Sequence, residues 1–304
     1  MALQDDGDSG RPVGRGGRAL RRGLLRGTAA GMLAATALGA RRAAAQGATQ
    51  SRLYNVLKRG RLVVGTGSTN PPWHFEDDNA NLVGFDVDMG RIIAKGLFDD
   101  PAKIEFVRQA EAARVPNLLT DKVDVTIQFM TVTAGRAQQV EFSIPYYRSG
   151  VALLLQADSK FKTFADLRTA SAAITVSVLQ NVYVDDLVHE APPEATVMQL
   201  DTQANVIQAV MSGRATAAAI GKAQLRWFMV TQPGKFADVG FSWYPQTYGC
   251  AVRRGDAIWL NFINTCLHEA MVGVDYKSYR DSFKHYFGED LPPVKVGAPS
   301  EYFG

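Results

Sequence analysis

Between Arg61 and Phe287, short apolar runs that suit buried strands alternate with runs of helical period, and the alternation occurs twice. The first round predicts strands over Arg61–Gly65, Ile104–Val107, Val123–Gln128 and Val151–Gln156, with helices over Phe85–Phe98, Arg114–Thr120 and Ala134–Gln139. Asp86 and Asp88 stand in the first turn of the Phe85 helix, whose unpaired N–H groups favour negative charge. Pro116 stands in the first turn of the next helix, where its missing N–H removes no helical bond. The second round predicts strands over Ile174–Val178, Thr196–Leu200, Ala217–Ile220 and Tyr248–Val252, with helices over Phe164–Leu167, Tyr183–Glu190, Thr202–Ser212 and Ala223–Thr231. Thr202 can cap its helix through its hydroxyl. Helices over Ala257–Val272 and Tyr276–Phe287 follow, and residues 288–304 form a Pro-containing surface tail. Such alternation predicts mostly parallel sheets covered by helices on both faces. Two rounds in 304 residues predict two Rossmann-like α/β lobes, since that length is a soft prior for about two domains. Ligands of open α/β sheets bind outside the carboxyl ends of the strands, so facing lobes would hold a ligand in the cleft between them.

The first 45 residues read differently. They carry eight Arg, no Lys and three Asp, with Arg21-Arg22 followed by Gly23-Leu24-Leu25-Arg26 and a mildly apolar run to about Gly39. Ala43-Ala44-Ala45 offers the small residues a signal peptidase requires, so residues 1–45 are expected to be an export signal cleaved before Gln46. The arginine pair and Leu-Leu resemble a twin-arginine signal. A membrane anchor is the alternative, but the run is shorter than the ~20 apolar residues a span needs. Removing this segment takes 8 of 33 basic and 3 of 30 acidic residues, leaving 25 and 27, a net of −2. The mature chain therefore has no net basic footprint for nucleic acid. Export to an oxidising space permits a bridge between Cys250 and Cys266; two buried free thiols are the alternative. Histidines 74, 189, 268 and 285 lack the spacing of a metal site, and neither metal nor cofactor is expected.

Several stretches, in order, resemble the periplasmic amino-acid-binding proteins of ABC transporters: VVGTGSTNPPWHF (63–75), LVGFDVDM (82–89), DKVDVTIQFMTVTAGRAQQVEFSIPYYRSG (121–150), SGRATAAAI (212–220), YGCAVRRGD (248–256) and YFG (286–288). The resemblance implies the type II periplasmic-binding-protein fold, in which two lobes are joined by two hinge crossings, here near Tyr146–Gly150 and Gln246–Gly249. Lobe one would be residues 46–148 and 248–304, and lobe two residues 149–247. It also implies a soluble periplasmic monomer that closes on an amino acid or related carboxylate and delivers it to an ABC transporter permease.

Thr131-Val132-Thr133-Ala134-Gly135-Arg136 carries the binding chemistry. A strand ends, backbone N–H groups and hydroxyls come free, and a guanidinium follows one turn into a helix. That is an anion cradle, and the planar guanidinium matches a carboxylate in bidentate fashion. The resemblance implies that Arg136 holds the ligand carboxylate, with Thr131 donating and Phe129 contributing backbone groups. A surface salt bridge is the ordinary alternative for an arginine. Asn70 and Trp73 lie on the loop after the first strand, where Trp73 either packs on the ligand or belongs to the core. Glu111 and Arg114 lie before Pro116. Arg114 is similar in place to a second arginine that reads a side-chain carboxylate in acidic-amino-acid binders; a solvated helix-start charge is the alternative. Gln180 and Asn181 stand where the family carries hydroxyl contacts, and Asn181 could equally cap a helix.

Two positions depart from the family pattern. Gly221, followed by Lys222, replaces the aspartate that usually clamps the ligand ammonium, and Gly67 replaces a charged residue of the first loop. A buried ammonium would need another partner. Glu111 could serve, or the ligand lacks an amino group and Lys222 meets a second acidic group. Cyclohexadienyl dehydratases share the fold, and SRLYNVL (51–57) and FSIPYYRSG (142–150) resemble theirs. They use a general-acid glutamate in the lobe-two loop. The corresponding residues here, LQNVYV (179–184), hold no carboxylate, and general acid catalysis needs a titratable group in reach. No catalytic residue is therefore expected, and the chain is read as a binding protein, a transporter component or a sensor subunit.

Overall fold

The computed structural model describes residues 51–180 and 184–294, apart from the side chains of residues 184–186. The expected export signal, the Arg21-Arg22 pair, Asn181 and the end of the tail lie outside the described residues.

Two five-stranded sheets organise the chain. The first contains β1 (Leu62–Thr66), β5 (Ile104–Arg108), β6 (Val125–Thr126), β7 (Val140–Phe142) and β13 (Ala251–Arg253), in the order β5-β1-β6-β13-β7. The second contains β8 (Tyr147–Gln156), β9 (Thr175–Leu179), β10 (Thr196–Leu200), β11 (Ala217–Gly221) and β12 (Phe236–Tyr248), in the order β10-β9-β11-β8-β12. Each sheet has a parallel core: β5 and β6 flank β1, and β10 and β11 flank β9. In each, one strand runs against the other four, namely β13 and β8. These two strands enter directly from the other sheet, which gives them their reversed direction. The crossings are paired with each other, Tyr147 opposite Tyr248 and Arg148 opposite Thr247.

Strand side chains divide by the period of two that a pleated sheet imposes. Along β8, Val151, Leu153 and Leu155 enter one core and Ala152 and Leu154 the other. Along β1, Leu62 and Val64 face α1 (Arg52–Arg59), α2 (Phe85–Phe98), α9 (Ala257–Val272) and α10 (Tyr276–Phe287), while Val63 meets Leu118 of α3 (Arg114–Leu119). The second sheet is covered by α5 (Phe164–Thr169) and α6 (Val184–His189) on one face, and on the other by α7 (Gln203–Met211) and α8 (Lys222–Thr231). Helix α8 belongs to both cores. Leu225 packs under the second sheet, whereas Ala223 joins the first core and Trp227 lies 5.3 Å from Phe75 and 6.0 Å from Tyr286. Among the described residues no helix is long and apolar enough to cross a membrane.

Some elements differ from expectation. The strand expected over Tyr248–Val252 is two strands, because Tyr248 pairs with Tyr147 in the second sheet and Ala251 with Thr126 and Phe142 in the first. The strand expected over Val123–Gln128 is reduced to Val125–Thr126, although Asp124 and Ile127 still donate to Val63 and Gly65. The three-stranded β2 (Thr69–Asn70), β3 (His74–Glu76) and β4 (Leu82–Val83) were absent from the sequence pattern; strands of two or three residues carry no readable period. Cys250 and Cys266 are free and buried. Burial raises both thiols, Cys266 to about 12 and Cys250 further.

Candidate ligand-binding site

The carboxyl ends of β1, β5 and β6 form one edge of the first sheet, and the expected lobe-one contacts collect there. Beyond β6 the chain runs through Phe129, Met130 and Thr131 into α4 (Ala134–Ala137). Thr133 caps that helix, its hydroxyl accepting from the Arg136 N–H at 3.3 Å. The segment is pinned to the crossing strand β12. Val132 N–H donates to Thr247 O at 2.9 Å, Gly249 N–H to Met130 O at 3.2 Å, and the Thr131 hydroxyl lies 3.4 Å from Gln246 Oε1. The cradle is thus built where the two sheets are stitched together.

Arg136 is half-buried and folds back so that Nη1 donates to Thr131 O at 2.8 Å. Among the described residues no carboxylate pairs with it, so the rest of its donor fork is uncommitted. Arg114 is different. It is buried, with Nε donating to Glu111 O at 2.9 Å, Nη1 to Gln128 O at 3.3 Å and Nη2 to Glu111 Oε2 at 3.1 Å. Its guanidinium carbon stands 5.9 Å from the Phe129 ring centroid. Burial lowers the Arg114 pKa, Glu111 opposes that, and the positive charge of Arg136 lowers it further. The two arginines are thus close enough to repel one another. Glu111, with its side chain 56% exposed, is the acidic group expected among the contacts.

Trp73 had two roles open to it, and the structure gives it the core. It is 3% exposed, with ring centroids of Tyr147, Tyr248 and Phe287 at 4.8, 5.1 and 5.6 Å. Asn70 is half-buried on the same loop, its Nδ2 3.4 Å from His74 Nε2. On the second sheet, Gln180 is exposed at the end of β9, with its N–H bonded to Leu200 O at 2.8 Å. Gly221 ends β11 and opens α8, and a side chain there would meet only Gln224 at 3.6 Å. Lys222 forms an ion pair with Asp238 of β12. A second acidic group of a ligand would have to share the Lys222 ammonium with Asp238.

Sequence reasoning missed a buried polar cluster behind the wall. Asp86 is fully buried and accepts from three donors: Tyr146 Oη at 2.6 Å, His74 Nδ1 at 2.8 Å and the Phe129 N–H at 2.8 Å. Burial, with the Asp86 charge second, raises the Tyr146 phenol well above its ordinary range, which keeps it a donor. Gln109 and Gln128 continue the cluster: Gln109 Nε2 donates to Gln128 Oε1 at 3.1 Å, and Gln109 Oε1 accepts from Asn117 Nδ2 at 2.7 Å. The available signal was that His74 and Asp86 both fall inside the matched stretches.

The model for "Bacterial extracellular solute-binding proteins, family 3" matches residues 62–289. The glutamine-binding protein of Geobacillus stearothermophilus is 28% identical over 212 residues, covering 66% of this chain and 76% of that protein. The ABC transporter arginine-binding protein 1 of Escherichia coli is 26% identical over 223 residues, covering 72% and 88%. Among solved structures, an ancestral cationic amino acid solute-binding protein is 30% identical with a TM-score of 0.68, covering 78% of this chain and all of that one. Another structure of that ancestor describes it as a precursor of cyclohexadienyl dehydratase. The two sheets, their parallel cores and their paired crossings are thus the two lobes of a type II periplasmic-binding fold. With three quarters of its length inside the family pattern, the chain belongs to the bacterial extracellular solute-binding proteins of family 3.

Proposed function

We propose that this protein captures a small amino acid or related carboxylate outside the cytoplasm, by closing two lobes about a hinge, and delivers it as a periplasmic monomer to an ABC transporter permease. The lobes are residues 46–148 with 248–304, and 149–247, and the hinge is the paired crossing near Tyr147 and Tyr248. The observation that carries this is Arg136: a half-buried guanidinium at a capped helix start, committed among the described residues to one backbone carbonyl and to no carboxylate. A ligand carboxylate completes it. Thr131 and the backbone at Phe129 supply the remaining contacts on lobe one, beside Asn70 and Glu111, and Gln180, Asn181 and the Gly221 turn close from lobe two. Closure is driven by the contacts the ligand makes only in the closed state.

The full chain, screened by thermal shift against the common L-amino acids, keto acids and dicarboxylates, should be stabilised by a subset of them. A ligand at about 100 times its Kd adds about 2.7 kcal/mol to a fold that alone binds it. If no carboxylate shifted the melting temperature, the proposal would fail. The relationship to a dehydratase precursor motivates a second assay: prephenate incubated with the protein should persist, and its turnover would replace the transport reading with an enzymatic one.

A further inference from the structure

Three features at the carboxyl-end edge of the first sheet, the Asn70 amide, the Gly67 backbone and the Phe129 N–H held by Asp86, gather around one side chain that no solvent reaches. His74 is 0% exposed. Its Nδ1 lies 2.8 Å from Asp86 Oδ2 and its Nε2 3.4 Å from Asn70 Nδ2. A carboxylate only accepts, so Nδ1 carries the hydrogen and Nε2 accepts from the Asn70 amide. The ring stacks on Phe129 at 5.0 Å and 15°. It also occupies the room in front of Gly67, where a Cβ would lie 2.5 Å from His74 Cδ2 and 2.6 Å from Nε2. Phe129 itself has φ +33°, a region a bulky residue enters only when its surroundings hold it there. What holds it is its N–H bond to Asp86 Oδ2 and the His74 ring against its face.

We propose that His74 is the positioning residue of the binding wall: one ring nitrogen fixes Asp86, and through it the strained Phe129, while the other fixes the Asn70 amide toward the ligand. This rests on the binding function proposed above and goes beyond it, because His74 is shielded from the ligand and acts only through its neighbours. Groups held in the bound geometry beforehand lose less freedom on binding, which raises affinity without a new contact.

The two nitrogens can be separated by substitution. His74→Asn places an amide nitrogen near Nδ1, keeping the donor to Asp86 and abandoning Asn70. His74→Gln reaches toward Nε2, keeping a partner for Asn70 and abandoning Asp86. Calorimetric titration of the full chain uses whichever of L-glutamine, L-arginine and L-glutamate binds the wild type most tightly, well below each variant's melting temperature. Each single variant should bind about tenfold more weakly, the scale of one lost hydrogen bond. Adding Asn70→Ala should then cost His74→Asn nothing beyond the Asn70→Ala loss, while its effect should multiply with that of His74→Gln. A merely structural histidine would lower the melting temperature and leave the Kd of both folded variants unchanged, and that result would overturn the proposal. If one variant fails to fold, the cycle with the other decides. Should the wild type bind the amino acid and Arg136→Ala lose it while both His74 variants keep it, this inference alone falls. Should no amino acid, keto acid or dicarboxylate of the thermal-shift screen stabilise the wild type, which then matches Arg136→Ala, the binding function falls with it.

Discussion

Arg114 and Arg136 stand at one edge of one sheet, yet their surroundings assign them different work. Arg114 is held by Glu111 and by the carbonyl of Gln128, so its guanidinium is already oriented, as a contact to a second ligand carboxylate would need. Arg136 keeps most of its fork free among the described residues. Arg114→Ala should therefore weaken L-glutamate and L-aspartate by roughly 10- to 150-fold, the range of a charge-assisted hydrogen bond, and L-glutamine by much less. Titrations with the three amino acids check this, and equal losses across them would make Arg114 part of the frame. At this scale the sequence was legible where chemistry is local. Arg136 and its Thr133 cap lie three residues apart and could be read as a cradle. Asp86 could be read only as a charge near a helix start. Its partners His74, Phe129 and Tyr146 are 12, 43 and 60 residues away in the chain, and no local pattern reports such a meeting. Trp73 was undecidable for the same reason, since a loop aromatic does not announce which way it turns.

Long periodic elements were readable to the residue. Phe85–Phe98, Ala257–Val272 and Tyr276–Phe287 have the bounds their apolar spacing gave, because three or more turns of period 3.6 outweigh any local ambiguity. The 13-residue strand β12 escaped notice: its burial alternates irregularly, Pro245 interrupts it, and its register against β8 shifts twice. The junction between loop and helix at Gly84 is the element-scale feature most exposed to test. Its φ is +133°, and a Cβ there would lie 2.2 Å from Trp73 O. Around it, Phe85 and Asp86 N–H donate to Pro72 O and Trp73 O at 2.9 and 2.8 Å, and Gly84 N–H to Tyr286 Oη at 2.9 Å. Gly84→Ala should destabilise the fold by more than about 2 kcal/mol, since strain and a backbone clash coincide. Urea unfolding checks this, and a change below 0.5 kcal/mol, the scatter of ordinary surface substitutions, would show that the loop can shift at no cost.

The whole molecule is two similar α/β bodies that exchange one strand direction each. Of the two strands paired at the crossing, β8 and β12, it is β12 against which the 131–136 segment is pinned, through Thr247 O and Gln246. A carboxylate bound as proposed on Arg136 would therefore sit beside the proposed hinge, at the paired crossing strands. Two rounds of strand–helix alternation made this architecture legible. The reversed strands were not legible, because direction within a sheet follows from which body the chain enters from. The most direct test is the Kd of the full chain for its tightest amino acid, compared with Arg136→Ala by calorimetry. Loss of a buried charge partner should weaken binding by about 3–5 kcal/mol, roughly 100- to 4,000-fold, in a variant that still unfolds cooperatively; an unaltered Kd would mean that the carboxylate is held elsewhere.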